Sequence, residues 1–269
     1  MPYNIIVCIK QVPHPEYLSQ ISLDRATGTI NREGVPAIIN PVDRNALEAA
    51  LGIRDRFSGR VTVLTMGPPQ AKRALEEALA MDADAAVHLC DAAFAGADTL
   101  ATAQALAYAL RKLEPFDLVF CGEATIDSGT GQVPVQLAEL LGLPAITGVE
   151  ELDFENEQAV MVKKIWERGY IKLRVLLSEG PAVITVTSKI NQPRLATVLG
   201  IMAATQKEIK RWGAADIGAE AALLGLKGSP TQVGEICELK VARQGEILEG
   251  PPEKVVGEAI DRLRRLEIL

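Results

Sequence analysis

The stretch Asp117-Leu118-Val119-Phe120-Cys121-Gly122-Glu123-Ala124-Thr125-Ile126-Asp127-Ser128-Gly129-Thr130-Gly131-Gln132-Val133-Pro134 decides the fold. It opens with an apolar run of strand character and crosses a loop of small and polar residues. It then enters Val133-Pro134-Val135-Gln136-Leu137-Ala138-Glu139-Leu140-Leu141, whose spacing buries one helical face. Pro134 stands near the helix start, where a missing N–H costs little, and Gly142 with Pro144 marks the end. Strand, loop and helix in that order form the repeating unit of an α/β protein. Gly122, Gly129 and Gly131 let the backbone approach a ligand with no Cβ in the way, and the helix offers unpaired N–H groups and partial positive charge suited to phosphate. The loop therefore reads as a nucleotide cradle. The run Gly129-x-Gly131-x-x-Pro134 departs from the dinucleotide fingerprint in its last residue and in its distance from the strand. As a bare pattern, an ordinary glycine-rich connection fits it equally well.

Toward the N-terminus the same unit recurs. Met1 to Lys10 has too short an apolar run for a membrane span and no basic leader, so it reads as a first buried strand. A hairpin-like insert follows over Ile21 to Ile30, turning at Ala26-Thr27-Gly28. Ala37 to Asp43 leads into a helix through Ala46, Leu47, Ala50 and Leu51 that closes before Gly59, with Asp43 as the expected N-cap. Val61 to Thr65 is a buried strand ending in Met66-Gly67-Pro68-Pro69, and a helix is expected from about Ala71 to Met81. Ala85 to Leu89 is another strand, and Asp98 is placed to cap the Ala/Leu-rich helix beyond it. Successive βα units with short links predict a parallel, right-handed, doubly wound sheet, whose ligands bind beyond the carboxyl ends of the strands. Those ends carry Cys8, Asn40, Met66, Asp91 and Gly122, which together line one crevice.

Beyond Pro144 the pattern changes. Ala145 to Val149 reads as a strand, and Ala159 to Trp166 and Tyr170 to Leu177 alternate around Glu167-Arg168-Gly169 as an antiparallel hairpin. Val183 to Thr187 restores a buried strand. After Ser188 no further βα rhythm is legible, and a charged helix from Glu253 to Leu266 ends the chain. The expected division is an α/β nucleotide-binding domain over 1–190, with a docking loop and a partner-wrapping extension over 191–269.

With 269 residues and a net charge of −7 in which both signs are interspersed, the chain presents no basic face for nucleic acid and no polybasic anchor. A protein of the cytoplasm is expected. Cys8, Cys90, Cys121 and Cys237 lie far apart and read as small core residues of a reducing compartment. His14 and His88 are the only histidines, which excludes a multi-histidine metal site and argues against histidine acid–base chemistry. No metal is expected. The chain has no Walker lysine, no Gly-x-Ser-x-Gly elbow and no Ser-Gly-Gly-x-Asp-Ser loop, which disfavours a nucleotide hydrolase.

Five separated motifs complete the reading: Val7-Cys8-Ile9-Lys10-Gln11-Val12-Pro13, Asn40-Pro41-Val42-Asp43, Met66-Gly67-Pro68-Pro69, Gly96 to Thr102, and the Gly122 to Val133 loop. Together, in this order and across essentially the whole chain, they resemble the β subunit of the electron transfer flavoprotein family. The resemblance implies a Rossmann-like fold and a heterodimer with an α subunit that carries a redox-active FAD. In the conventional branch the β subunit holds a structural AMP and only orients its partner. In the bifurcating branch it holds a second FAD, which takes electrons from NADH. Phe94 to Thr102, Gly228 to Val233 and Val133 itself look like the bifurcating branch, so FAD is expected here, with AMP as the alternative and NAD(H) as the substrate. That branch usually reads Asp-Gly-Asp-Thr-Ala-Gln-Val-Gly-Pro where this chain reads Asp127-Ser128-Gly129-Thr130-Gly131-Gln132-Val133-Pro134-Val135; a carboxylate that would repel pyrophosphate is gone.

Position by position, the resemblance places the backbone of Cys8 with Asn40, Asp43 and Met66 around the adenosine. Gly122, Asp127, Ser128, Thr130, Gly131, Gln132 and Val133 would surround the ribose and phosphate, and Asp98 and Thr99 would approach the ribityl or isoalloxazine part. The family docks dehydrogenases through a loop with an exposed Leu after a Pro-Arg pair. Here Pro193 and Arg194 are followed by Val198, with Leu199 beside it, at the Leu position, and only Lys207 and Lys210 remain of a lysine run. A dehydrogenase other than the conventional acyl-CoA set, or a quinone-linked oxidoreductase, is the implied partner, with ferredoxin or flavodoxin as a low-potential acceptor. Catalysis is assigned to no residue of the chain; the flavin carries the chemistry.

Overall fold

The structure is a computed structural model that describes residues 2–20, 22–24, 29–31, 35–156, 159–232, 245 and 247–268. The expected turn at Ala26-Thr27-Gly28, Val233 and Cys237 lie outside the described residues. The chain clusters into two compact units, Met1–Gly234 and Glu235–Leu269.

In the first unit, β1 (Tyr3–Cys8) is followed by β2 (Gln11–Pro13), the paired β3 (Ser22–Asp24) and β4 (Thr29–Asn31), and β5 (Ala37–Ile39), which runs antiparallel to β2. Then come α1 (Pro41–Phe57), β6 (Gly59–Met66), α2 (Lys72–Ala80), β7 (Ala85–Leu89), α3 (Thr99–Leu113), β8 (Leu118–Gly122) and α4 (Val133–Leu141). The remainder is β9 (Ala145–Asn156), β10 (Ala159–Trp166), β11 (Gly169–Leu176), β12 (Ala182–Val186), α5 (Val198–Ala204) and β13 (Ile209–Trp212). The second unit carries α6 (Pro252–Arg265), which has an i,i+4 ion pair between Glu258 and Arg262 and leaves Val256 and Ile260 exposed.

One nine-stranded sheet runs in the order β11-β10-β9-β12-β8-β1-β6-β7-β13. Every neighbour from β9 to β13 is parallel, and β9-β10-β11 is antiparallel. Alternation along each strand splits the core by face. Ile5, Val7, Val61, Val63, Leu118 and Phe120 pack with Leu47, Leu51, Leu75 and Leu79 of α1 and α2. Ile6, Leu64, Val87, Val119 and Val183 pack with Leu106, Leu110 and Leu137 of α3 and α4. The central parallel strands β12, β8, β1, β6 and β7 are thus covered on both faces, and the doubly wound, mostly parallel α/β expectation holds with its antiparallel hairpin. Strand order reverses at β1, which lies between β6 and β8, so the switch-point crevice opens where β1 and β8 end at Cys8 and Gly122.

Three sequence expectations need correction. Asn40, not Asp43, occupies the N-cap of α1; Pro41 starts the helix, and Asp43 sits in its first turn with its carboxylate aimed elsewhere. The strand expected at Ala145 to Val149 continues to Asn156, because pairing with β10 sustains it across charged residues. After Ser188 a further parallel strand, β13, pairs with β7. Its Lys210 and Arg211 face solvent at the sheet edge, so four residues carry too little apolar signal to announce a strand.

Candidate functional site

The crevice is built around Asp43. This carboxylate accepts hydrogen bonds from the backbone N–H of Lys10 at 2.8 Å and of Gly122 at 3.1 Å, and from the Asn40 side-chain amide at 3.1 Å. One side chain on α1 therefore ties the ends of β1 and β8 together. Burial pushes the Asp43 carboxyl up to about 7, against the pull of Asn40, Lys10 and Gly122. Asn40, fully buried, does the same for the loop: its amide donates to the Ala124 carbonyl at 3.0 Å, and its oxygen accepts from the Ile126 N–H at 3.2 Å. Gly122 is required by this packing, since a Cβ there would overlap Asp43 Oδ1 and lie 3.1 Å from the Asp43 nitrogen.

Beyond Gly122 the loop folds on itself. Thr125 and Ser128 share a hydroxyl hydrogen bond of 2.8 Å, and the Gly129 N–H donates to the Thr125 carbonyl. Gly129 and Gly131 have φ of 63° and 61°, in the left-handed region. A Cβ on Gly131 would sit 3.1 Å from the Glu123 carbonyl oxygen, so the close turn also depends on its absence. Ser128, Gly129, Thr130 and Gln132 are exposed, and α4 begins directly after them. The first-turn amides of α4 have no partner within the helix.

Lys10 has no role in the sequence reading, although it lies within a quoted motif. Its ammonium donates to Asp127 Oδ1 at 2.8 Å and reaches Ser128 Oγ at 3.5 Å, so the end of β1 is strapped to the loop tip. The ion pair also places a cation on the loop that leads into α4. Lys10→Met should lower affinity for an adenine nucleotide about tenfold while shifting stability by less than about 1 kcal/mol, because the lysine is partly exposed. Calorimetric titration with thermal melts separates the two effects, and unchanged affinity would refute the role.

The second part of the site is the start of α3. Asp98 caps this helix, as expected, with Oδ1 accepting from the Ala101 N–H at 2.9 Å. Burial raises its carboxyl, but the Ala101 N–H and both donors of Thr231 outweigh it and hold the group below the usual carboxylate range. Thr99 Oγ1 donates to Gln132 Oε1 at 3.0 Å, which joins the start of α3 to the start of α4. Two helix N-termini therefore converge at one polar contact. Ser229 and Thr231 enter here as contributors; the sequence marked their segment only by resemblance.

The remaining expected residues fall around these two clusters. Met66 ends β6, half-buried, two positions past the pairing of Cys8 with Leu64, so β6 outruns β1 at the crevice rim. Val133 opens α4 and packs on the second core cluster. The Cys121 thiol is pushed up by its hydrogen bond with Cys8 and by burial, which makes it inert. Burial, then Glu150, raises the Glu123 carboxyl, with Lys189 opposing. His88 is lowered by burial, and its Nε2 lies 3.1 Å from the Gly67 carbonyl, a structural role. No group of His, Cys, Asp or Glu suited to a metal occurs among the described residues.

The residues expected to dock a partner make their ion pairs on α1 rather than on the loop after Gly122. Arg194 is fixed by Glu48 at 2.8 Å and by Asp55 at 2.8 Å. The chain after it leaves Leu195, Val198 and Leu199 85%, 74% and 78% exposed. Gly200 lets α5 approach the Ala80 carbonyl at the end of α2, where a Cβ would overlap it. No helix among the described residues is long and apolar enough to cross a membrane.

A doubly wound sheet with polar loops and two helix N-termini gathered at its switch point defines an α/β protein of the Rossmann-like class. Comparison with known proteins narrows this class. A model of the electron transfer flavoprotein domain matches residues 27–217. The chain is 45% identical over 261 residues to the electron transfer flavoprotein subunit beta of Clostridium acetobutylicum, covering 97% of this chain and 98% of that protein. It is 42% identical to subunit CarD of the caffeyl-CoA reductase-Etf complex of Acetobacterium woodii, over 99% of this chain and 100% of the relative. Protein FixA of Bradyrhizobium diazoefficiens is 46% identical over 86% and 81% of the two chains. The chain belongs to the electron transfer flavoprotein β-subunit family, which includes FixA.

Proposed function

We propose that this chain binds FAD at the switch-point crevice and, paired with an α subunit, passes electrons between NAD(H) and a dehydrogenase-type or quinone-linked partner, splitting them toward a low-potential acceptor such as ferredoxin or flavodoxin. The observation that carries the reading is the Thr99–Gln132 contact. It extends the polar crevice from the β1/β8 end, which suffices for a mononucleotide, to the start of α3, where a longer ligand continues. Asn40, Asp43, Met66 and the Cys8 backbone hold the adenosine; Ser128, Thr130, Gly131, Gln132 and Val133 line the ribose and phosphates, with Lys10 compensating charge through Asp127. Bound flavin supplies the redox chemistry, and the chain positions it and excludes water.

The relatives' names support the choice of partners: one is a subunit of a caffeyl-CoA reductase-Etf complex. The exposed Leu195, Val198 and Leu199 are the docking anchor, set by the Arg194 ion pairs behind them. Residues 191–200 serve this contact, and the second unit, with its amphipathic α6, lies against the α subunit. The test is the nucleotide content of the purified heterodimer after denaturation and chromatography. About two FAD per heterodimer without AMP is expected. One FAD with one AMP would replace this reading by a conventional subunit that holds AMP and only orients its partner.

A further inference from the structure

Asp98 uses both carboxylate oxygens on the chain itself. Oδ1 caps α3 through the Ala101 N–H, while Oδ2 accepts from the Thr231 N–H at 3.0 Å and from the Thr231 hydroxyl at 2.7 Å. Its own N–H donates to Ser229 Oγ at 2.8 Å. The Ser229 hydroxyl in turn lies 2.7 Å from the Gly225 carbonyl and 3.3 Å from that of Gly96. Ser229 is buried, so these bonds form away from water.

The backbone of the two segments is fitted to the same contact. The Leu226 N–H donates to the Ala95 carbonyl at 3.0 Å. Gly225, at φ 54°, has no room for a Cβ against the carbonyls of Ala93 and Ala95. Gly96, at φ 72°, would place a Cβ 3.2 Å from that of Leu226. Leu224, just before, is buried in the core between α3 and the sheet. Residues 224–231 are therefore stitched onto the β7–α3 connection beside the Thr99–Gln132 contact.

We propose that Asp98 is a positioning residue rather than a ligand contact: it clamps residues 225–231 against the start of α3, and the clamped segment forms a wall of the crevice that a dinucleotide needs and a mononucleotide does not. This rests on the reading of the crevice as a dinucleotide site. The β1/β8 end is built by Asp43, Asn40 and Lys10, none of which touches the clamp, so AMP binding there is independent of it. A ligand reaching past Gln132 toward Thr99 meets the clamped segment. Selectivity for FAD over AMP then comes from the second segment's placement.

Asp98→Asn separates the two jobs of this side chain. An asparagine oxygen still accepts from Ala101, since Asn caps a helix as well as Asp does, but its amide nitrogen faces the Thr231 N–H, which loses its acceptor, and the Thr231 hydroxyl must turn from donor to acceptor. The full-length protein, in the complex with which it purifies, should keep its fold, and its ligand-free amides over 225–231 should exchange with solvent about tenfold faster or more. FAD affinity should fall about tenfold with a changed visible circular dichroism of the bound flavin, while AMP affinity stays within about twofold. Ser229→Ala should show the same pattern more weakly. Asp98→Asn with unchanged exchange over 225–231 would overturn the clamp. Faster exchange with FAD and AMP weakened alike, or with neither weakened, would overturn its role in selectivity. A wild-type protein that takes AMP but no FAD defeats the dinucleotide reading and the wall's role in selectivity, and the exchange data still decide the clamp.

Discussion

Asp43→Ala should cost on the order of 3–5 kcal/mol, enough to unfold a marginal domain at 37 °C, because it takes the acceptor from three donors at once. The N–H groups of Lys10 and Gly122 and one hydrogen of the Asn40 amide meet this carboxylate; alanine leaves both N–H groups with nothing to bond and the Asn40 amide with Ala124 alone. Asp43→Asn should cost less, since its oxygen can satisfy the Gly122 and Asn40 donors while only the Lys10 N–H meets an amide nitrogen. Asp43 also gives the stability a pH dependence. Its carboxyl is raised from 3.8 to about 7 in the folded protein, so the folded state binds a proton that the unfolded chain has already lost. The contribution is fully present below about 4 and is lost as pH rises through about 7. Between pH 5 and pH 8 the wild-type protein should lose more stability than Asp43→Asn, measured by urea unfolding. Parallel slopes would show that the group does not titrate in this range.

Gly122→Ala should remove nucleotide binding and destabilise by roughly 2–3 kcal/mol. The added methyl meets Asp43 Oδ1, the Asp43 nitrogen and the Val42 carbonyl carbon, all parts of the first turn of α1. Neither side yields cheaply: Gly122 is paired with Val186 in the sheet, and α1 is packed by Leu47 and Leu51. The helix start must move away from the crevice, carrying Asn40 and its hold on Ala124 and Ile126 with it. Equilibrium dialysis with AMP checks the effect, since on the proposed reading a mononucleotide occupies the affected end alone. Wild-type AMP affinity in this variant would show that the crevice tolerates a shifted α1.

What was legible in the sequence follows from the range of each interaction. Val119, Phe120 and Cys121 announce a buried strand because their neighbours in sequence share their environment, and Asp98 announces a cap because its acceptor serves an N–H three residues on. Asp43 looked like a cap for the same local reason, yet its partners are β1 and β8, and no local pattern reveals an acceptor shared by residues 33 and 79 positions away. Lys10 was invisible as a site residue because its value lies in Asp127, 117 positions further on. β13 was missed because an edge strand with Lys210 and Arg211 lacks the apolar run that marks its buried neighbours. The Asp98–Thr231 contact spans 133 positions, so only the folded chain shows that the carboxylate is already committed.

The central place of β1 has a consequence for synthesis. One edge of β1 is covered once β6 has left the ribosome, but the other waits for β8, which begins about fifty residues after β6 ends. At usual elongation rates that edge stays open for roughly 3–10 s, a long time for a strand as apolar as Ile5-Ile6-Val7. Asp43 waits with it, one of its three donors not yet made. On the proposed reading, nucleotide is captured only after the fourth βα unit has closed on the first, and occupancy of the crevice would record that the sheet was completed in the correct strand order.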